Sequence, residues 1–291
     1  MLAQLFAVIA PVFFTALVGF TWIKSGRGFD TDKLTPLITS VGTPCLVVST
    51  LLKADISLDH LARMAGAGAL AHLAALVVGF VLLKAIGRSV SAFLPALSFP
   101  NTGNMGLPLC LFAFGEQGLA LAIGYFVVSA VGQFTLGYAI AAGTVDIRRL
   151  ARTPILWAVA VALVLMAVDA DIPLWAANTI QLIGQFTIPL MLMTLGASLA
   201  RLSVRRLGLP AALSVLRLVG GAALGLAIAS IMGLEGAARG VVVLQTAMPV
   251  AVFNYLFAQL HDNQPEEVAG LVVISTALSV VTLPLLLAYL L

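Results

Sequence analysis

Charged residues are scarce in this sequence. Only 9% of its 291 residues are Asp, Glu, Lys or Arg, whereas hydrophobic residues make up 61%. A soluble domain carries about 25% charged residues, so this chain has too little polar surface to cover a water-exposed fold. The scarcity excludes an ordinary soluble protein and indicates an integral membrane protein.

Cysteines and the residue sets of enzymes are also sparse. The two cysteines, Cys45 and Cys110, lie in apolar segments without metal-ligand spacing, so neither a disulfide nor a metal site is indicated. No nucleophile-elbow pattern occurs, and no paired carboxylates lie deep in an apolar run. We therefore expect no catalytic residue, no metal and no cofactor, and the net charge of +3 does not point to nucleic acid.

Long apolar runs dominate the chain. A membrane-spanning helix takes about 20 apolar residues, and ten runs fit that size. They are residues 2–23, 32–52, 61–84, 90–114, 117–142, 154–170, 173–199, 207–232, 236–260 and 267–290. Little chain remains between them, so the sequence predicts a single membrane unit over residues 1–291. The first run has no lysine or arginine before it, and we interpret it as a retained helix rather than a cleavable signal peptide.

Lysine and arginine are distributed unevenly between the two sides of these runs. If the N-terminus is outside, the inner side holds Lys24, Arg27, Lys33, Lys84, Arg88, Arg148, Arg149, Arg152, Arg201, Arg205 and Arg206. The outer side holds Lys53, Arg63 and Arg239. Positive residues favour the cytoplasmic side, so we expect a multi-pass membrane protein with both termini outside.

The two halves of the chain carry matching helix breakers. Pro44 and Pro189 lie in the second and seventh runs, and Pro100 and Pro249 lie in the fourth and ninth. Five runs per half is an odd number, so the second half would enter the membrane from the opposite side. The predicted fold is all-α, with ten transmembrane helices in a 5+5 inverted repeat (about 1–145 and 146–291) and with helices 4 and 9 broken and crossed.

The segment Phe99–Pro108 is the most informative part of the fourth run. It contains two prolines, two glycines and two asparagines, and proline removes a backbone donor and breaks a helix. The expected helix-break residues are Pro100, Gly103, Gly106, Pro108 and Pro249. A broken backbone in a membrane is tolerated only where protein or a water-filled cavity covers it, and such breaks mark the substrate sites of transporters.

Helix breaks also predict what kind of group binds. The fragment after a break begins with free amide donors and a partial positive charge, and such a helix end binds anions. Two broken helices that meet at the middle of the membrane would bring these ends together. We therefore expect a site for an anionic or strongly polar group.

Three stretches of the sequence carry a family resemblance. Pro100-Asn101-Thr102 with Met105-Gly106-Leu107-Pro108-Leu109, Ala247–Val252 with Leu256–Ala258, and Ser275–Ser279 with Thr282–Pro284 are the motifs concerned. They resemble the fourth, ninth and tenth helices of the auxin efflux carrier family, which includes the plant PIN proteins and bacterial carriers. Because the loop Thr144–Thr153 is short, the chain is similar to the compact bacterial members, and auxin is not implied as the substrate. The location that this resemblance implies is a bacterial inner membrane.

The resemblance implies a fold related to that of the bile-acid:sodium symporters. Helices 1, 2, 6 and 7 would then form a scaffold, and helices 3–5 and 8–10 a transport unit that moves like an elevator. It also implies that Asn101 contacts a carboxylate of the substrate.

Polar residues near the two breaks have two interpretations. Asn101, Thr102, Asn104 and Gln245 either contact the substrate or satisfy backbone groups that the breaks set free. No acidic residue lies deep in any of the ten runs, which disfavours sodium coupling, because a hard cation prefers carboxylate oxygens, although carbonyl oxygens can serve alone. The coupling ion stays open between a proton, sodium and none.

His72 and Arg217 are the ionisable residues that fall deep within apolar runs. A charged arginine at the bilayer centre costs about 2.5–3.5 kcal/mol even on lenient scales, so a partner or a function is expected. Arg217 is either a counter-charge for a carboxylate or a cap on helix-end carbonyls. His72 is either a proton relay or a side chain bonded to nearby backbone.

The leading hypothesis is a secondary transporter of a small organic anion, with an elevator mechanism. A channel-like uniporter is the main alternative, and an intramembrane enzyme is a further one. The expected partners are the anion and membrane lipid, without nucleic acid, and a homodimer is one option for the assembly.

Overall fold

The computed structural model describes residues 2–54, 56–144, 153–170, 172–204 and 207–291. Within these ranges the regular secondary structure is helical. The helices are α1 (Leu2–Lys24), α2 (Thr31–Leu37), α3 (Thr43–Lys53), α4 (Leu58–Ala85), α5 (Val90–Ser98), α6 (Leu107–Gly132), α7 (Tyr138–Ala142), α8 (Pro154–Ala167), α9 (Leu174–Arg201), α10 (Gly208–Ile231), α11 (Gly236–Ala247), α12 (Val252–Leu260) and α13 (Pro265–Leu290). Arg148, Arg149, Arg152, Arg205 and Arg206, which the topology prediction uses, lie outside the described residues.

Short π-helical segments join several of these helices. They are Ile38–Gly42, Thr102–Gly106 and Gln133–Gly137. The first continues α2 into α3, the second leads into α6, and the third continues α6 into α7. A π turn adds a residue to the helical repeat and is often found at functional sites.

Seven helices of the described chain are long and apolar enough to cross a membrane. They are Ala3–Lys24, Thr31–Lys53, Leu58–Ala85, Thr102–Ala142, Leu174–Arg201, Gly208–Ile231 and Pro265–Leu290. Large apolar side chains stand exposed on the helices, including Trp157 (64% exposed), Trp175 (73%) and Ile231 (77%). Water would disfavour this surface, whereas lipid accommodates it, and the integral membrane prediction is thereby supported.

Helical structure is interrupted at both places where the sequence predicts a helix break. α5 ends at Ser98, and helical structure resumes at Thr102, with Phe99 in extended conformation. α11 ends at Ala247 and α12 begins at Val252.

The first break is narrower than the sequence predicts. Gly103 and Gly106 lie inside the π-helical segment, and Pro108 lies in the first turn of α6. A proline is tolerated in a first turn because its missing N–H would have no helical partner there. Only Pro100 of the four residues therefore lies in the interruption itself.

A sharp turn divides α6. Gly115 has φ 67° and ψ −162° inside that helix, and this positive φ is a conformation that glycine adopts without strain. The turn falls between the predicted spans 90–114 and 117–142.

Two groups of helices can be distinguished by their packing. α1 packs on α9, and α3 packs on α8 and α9. In the other group, α4 packs on α5 and α6, while α10 packs on α11 and α13. The broken helices belong to the second group and face the first.

Candidate functional site

The two helix breaks, at residues 99–101 and 248–251, lie against each other, and we call this contact the crossing. Pro100 and Val250 form an isolated antiparallel bridge, and the Asn101 N–H donates to the Pro249 carbonyl at 2.8 Å. The Asn254 amide nitrogen donates to the Phe99 carbonyl at 2.9 Å. Each break therefore satisfies backbone groups that the other leaves free, as buried polar groups require.

The break at Pro249 has a further partner on α13. The Val250 N–H donates to the Ser275 hydroxyl at 3.1 Å, and that hydroxyl also donates to the Val272 carbonyl. Ser275 lies in one of the stretches that carry the family resemblance, and it has a defined structural task at the crossing.

A cavity of about 290 Å³ lies beside the crossing. One wall comes from the group of α1, α3, α8 and α9, and the other comes from the broken helices and α6. Its lining consists of Thr39, Thr43, Pro100, Asn101, Thr102, Gly103, Asn104, Phe126, Ala130, Gln133, Phe134, Thr153, Pro154, Ile155, Met191, Ala251, Val252 and Phe253. None of these residues carries a formal charge.

Two helix N-termini meet at this cavity. Thr102–Asn104 begin the helical stretch after the first break, and Val252 and Phe253 begin α12 after the second. The N-terminal end of a helix carries a partial positive charge of about half an elementary charge. The cavity is therefore electropositive at the crossing without a lysine or an arginine in its lining.

All three π-helical segments reach the same cavity. Thr39 belongs to the first, Thr102 to the second and Gln133 to the third. π turns expose or redirect polar groups that an α-helix would pair, so their convergence marks this cavity as the candidate site.

Asn101 and Gln133 are the two buried amides in the lining. Asn101 is 4% exposed and Gln133 is 6% exposed. The amide nitrogens of both side chains have no hydrogen-bond partner among the described residues. An unsatisfied buried donor costs about 1–3 kcal/mol, and a ligand that accepts these hydrogen bonds would recover that free energy.

His72 connects to the cavity through two hydroxyl groups. Its Nδ1 lies 2.6 Å from the Gly68 carbonyl oxygen, and its Nε2 lies 3.0 Å from the Ser129 hydroxyl. The Thr102 hydroxyl donates to Ser129 at 2.9 Å. Phe99 stacks on the imidazole with ring centroids 5.3 Å apart, which fixes the ring plane.

Gln245 lies behind the crossing and does not line the cavity. The side chain has no exposed surface, and both of its amide atoms lack a hydrogen-bond partner in the described part of the chain. A Cβ atom on Gly106 would collide with the Gln245 amide. Gly106 therefore allows the two broken helices to approach closely, which is a packing role.

Arg217 also lies outside the cavity lining. It is 5% exposed, and its Nη2 donates to the Thr246 carbonyl at 2.5 Å. Thr246 lies in the last turn of α11, where carbonyl groups lack helical partners. A cation at this end of a helix is stabilised by the helix dipole, so the contact is the one that the capping hypothesis predicts.

A second cavity of about 290 Å³ adjoins the first. The two share Asn104, Val252 and Phe253, and the second extends to Asp32 and Arg201. Arg201 donates to the Thr31 hydroxyl and to the Phe29 carbonyl. This cavity lies toward the side that the lysine and arginine distribution assigns to the cytoplasm.

Comparison with known proteins identifies the family. The model of the family described as "Membrane transport protein" matches residues 4–145 and 140–287, which is nearly the whole chain. The chain belongs to this family.

Two archaeal members of similar sequence are uncharacterized transporters. One, from Methanothermobacter thermautotrophicus, is 27% identical over 272 residues, which cover 88% of each chain. Another, from Methanocaldococcus jannaschii, is 25% identical over 198 residues, which cover 64% of this chain and 63% of its own. The family and both relatives are transporters, so the protein is a membrane transporter and not an enzyme. The resemblance to auxin efflux carriers agrees with this family.

The candidate site of this membrane transport protein is only partly visible in its sequence. The sequence predicts that Asn101, Thr102 and Asn104 lie near a substrate site, and all three line the cavity. It does not single out Gln133, Phe126, Phe134 or Phe253. Gln133 carried a detectable signal, since it is a lone amide in the middle of an apolar run, whereas the phenylalanines resemble those of any lipid-facing helix.

Proposed function

We propose that this protein is a secondary transporter for a small organic anion, namely a monocarboxylate with an apolar body. The observation that carries the proposal is the cavity at the crossing. Two helix N-termini and the amide nitrogens of Asn101 and Gln133, which have no hydrogen-bond partner in the described part of the chain, offer donors for one carboxylate. Thr102 and Asn104 complete this polar end.

The rest of the lining favours an apolar body. Phe126, Phe134, Phe253, Ile155 and Met191 supply the large apolar side chains of the lining. A second carboxylate would meet these side chains with no cation in the lining, and an unpaired buried charge is costly. We therefore expect monocarboxylates to bind better than dicarboxylates of similar size.

Gln245 and Arg217 act on the site from behind the crossing in this proposal. Arg217 adds positive potential without touching the substrate, and Gln245 supports the approach of the broken helices. Both belong to the transport machinery, but direct contact falls to Asn101, Thr102 and Asn104.

The proposed architecture has ten membrane segments in a 5+5 inverted repeat. The seven long helices supply most of them, and Gly115 divides the 41-residue stretch Thr102–Ala142 so that α5 can complete one segment. The short helix α8 and the pair α11–α12 supply the remaining ones. The fold would be related to that of the bile-acid:sodium symporters.

An elevator-type mechanism fits the position of the cavity. Its walls come from the two packing groups, which we assign to a scaffold (segments 1, 2, 6 and 7) and a transport unit (segments 3–5 and 8–10). Sliding of one wall past the other would carry the substrate with the crossing. The adjoining cavity at Asp32 and Arg201 would be the exit toward the cytoplasm of an inner membrane.

A ligand panel tests the substrate class. Purified protein is heated with benzoate, hexanoate, succinate or the uncharged benzamide, and the shift in melting temperature is measured. A ligand that binds only the folded state stabilises it in proportion to the logarithm of its concentration over Kd. Benzoate and hexanoate should raise the melting temperature, whereas succinate and benzamide should have little effect. Stabilisation by benzamide as large as that by benzoate would contradict anion binding.

Counterflow of labelled benzoate in proteoliposomes separates the mechanisms. A carrier accelerates uptake when unlabelled benzoate is present inside, whereas a channel-like uniporter does not. Repeating the assay with and without a pH gradient tests proton coupling.

Cysteine labelling tests the orientation. In a background without Cys45 and Cys110, Thr144→Cys should resist a membrane-impermeant thiol reagent added to intact cells. Ala170→Cys, at the opposite end of α8, should react under the same conditions. The reverse pattern would place the termini inside and overturn the topology.

A further inference from the structure

The hydrogen bonds of His72 have a defined direction. A carbonyl oxygen accepts and never donates, so the 2.6 Å contact with Gly68 requires a proton on Nδ1. A neutral imidazole then has a free acceptor at Nε2, and Ser129 donates to it across 3.0 Å. The Ser129 oxygen in turn accepts from Thr102. In this state the Thr102 proton points away from the cavity.

We propose that Thr102, Ser129 and His72 form a proton-conducting chain that couples proton uptake at His72 to anion binding at the cavity. The inference rests on the proposed function, because the anion is the ligand that the chain would recognise. The juxtaposition that supports it is a fully buried serine between a buried histidine and a threonine in the cavity lining.

Passage of one proton reverses the direction of each hydrogen bond between His72, Ser129 and Thr102. A proton from the cavity binds the Thr102 oxygen, the former Thr102 proton moves to Ser129, and the former Ser129 proton moves to Nε2. Afterwards Nε2 donates to Ser129, Ser129 donates to Thr102, and Thr102 donates into the cavity. One proton has entered and the imidazole carries one positive charge, without displacement of any heavy atom.

The reversal changes what the site offers to a ligand. With neutral His72, Thr102 presents only oxygen lone pairs to the cavity, which repel a carboxylate. With protonated His72, Thr102 presents a hydroxyl donor, and the imidazolium adds positive charge behind it. By linkage, an anion at the cavity must favour proton uptake to the same extent as the proton favours the anion.

The surroundings of His72 explain why the proton-conducting chain would respond to an anion. α5, α6, α10 and α11 pack on α4. The titratable or charged side chains that face His72 are Tyr125 of α6, with ring centroids 5.6 Å apart, and Arg217 of α10, whose positive charge acts on the imidazole. No carboxylate among the described residues of these helices faces it. Burial of the imidazole and, to a smaller extent, the like charge of Arg217 disfavour a positive charge on His72, and a bound anion offsets this cost.

Nuclear magnetic resonance of His72 tests the chain without any ligand. The protein has three histidines, so His60→Gln and His261→Gln leave His72 as the single ¹⁵N-labelled imidazole. Neutral His72 should carry its proton on Nδ1, and Ser129→Ala should shift the Nε2 signal because the hydrogen bond is lost. A proton on Nε2, or an Nε2 signal unchanged in Ser129→Ala, would overturn the chain.

Benzoate affinity as a function of pH tests the coupling. Affinity in the wild type should rise as the pH falls, by up to about tenfold for each pH unit in the range where His72 titrates and benzoate remains ionised. Ser129→Ala should bind benzoate with little dependence on pH. Thr102→Val removes a contact with the ligand as well, so its affinity should be weaker at every pH and equally independent of pH, whereas Thr102→Ser should retain the dependence. Ser279→Ala is the matched control, because Ser279 is equally buried but donates only to Thr276 in its own helix.

The outcomes separate the two proposals. A full pH dependence in Ser129→Ala contradicts the coupling, while benzoate binding itself still supports the proposed function. Absence of benzoate binding at every pH contradicts the proposed function. In that case the nuclear magnetic resonance measurements of the His72 tautomer, and of its Nε2 signal in Ser129→Ala, still decide whether the proton-conducting chain exists.

Discussion

Asn101→Ala is expected to weaken benzoate binding by about fivefold to over a hundredfold. The amide nitrogen of Asn101 is buried and unpartnered in the described chain, and the residue lines the cavity directly after the first helix break. Loss of one hydrogen-bonding group to a charged or buried partner costs about 1–3 kcal/mol. Transport at low benzoate concentration should fall by a similar factor.

The fold should survive this substitution. The contact that joins the two breaks uses the Asn101 backbone N–H and not its side chain, so alanine retains it. The melting temperature of the unliganded variant should therefore remain close to that of the wild type. Asn178→Ala, at an exposed position of α9, is the matched control and should change neither quantity. A large drop in melting temperature with unchanged benzoate affinity would make Asn101 a purely structural residue.

Arg217→Gln is expected to lower the stability of the protein more than its affinity for benzoate. The guanidinium donates to the Thr246 carbonyl at the end of α11 and lies outside the cavity lining. A hydrogen bond from a charged group contributes about 1.5–3 kcal/mol, and its loss would leave a buried carbonyl unsatisfied. Melting temperature and benzoate affinity should be measured on the same preparation.

Arg217→Lys distinguishes the effect of the positive charge at this position from the effect of the planar guanidinium geometry. Lysine retains the positive charge but lacks the planar fork of the guanidinium. If Arg217 acts through its potential alone, the lysine variant should bind benzoate like the wild type while its melting temperature falls. If Arg217→Gln instead melts normally and loses benzoate affinity, the arginine is the counter-charge of the substrate and the capping role is wrong.

The helix breaks could be predicted from the sequence because proline acts locally. Pro100 and Pro249 remove backbone donors wherever they lie in a helix, and their placement in long apolar runs was sufficient to locate both interruptions. The turn at Gly115 is similarly local. Membrane integration followed from composition alone.

The neighbours of each polar side chain could not be predicted in the same way. The rotation of a helix about its own axis decides whether a residue faces a cavity, and nearly uniform apolar helices give little information about that rotation. The sequence leaves Gln245 and Arg217 open between substrate contact and a structural role, and neither residue lines the cavity. Ser129, which joins His72 to Thr102, has no distinguishing mark in the sequence.

The π-helical segments were also invisible in the sequence. Each depends on a one-residue change of helical register, which tertiary contacts decide. The second segment follows a proline and contains two glycines, but Gln133–Gly137 has only ordinary apolar neighbours. The contribution of Gln133 to the cavity therefore required the folded arrangement.

The hydrogen bond from Asn101 to the Pro249 carbonyl has a consequence for biogenesis. It joins positions about half the chain apart, so the break at Pro100 is synthesised well before the break at Pro249 exists. Until Pro249 arrives, the backbone polar groups of Phe99 and Asn101 must be hydrogen-bonded by water or by the insertion machinery, because lipid offers them no partner. The hydrogen bond between the two breaks therefore forms late, after most of the protein has been synthesised.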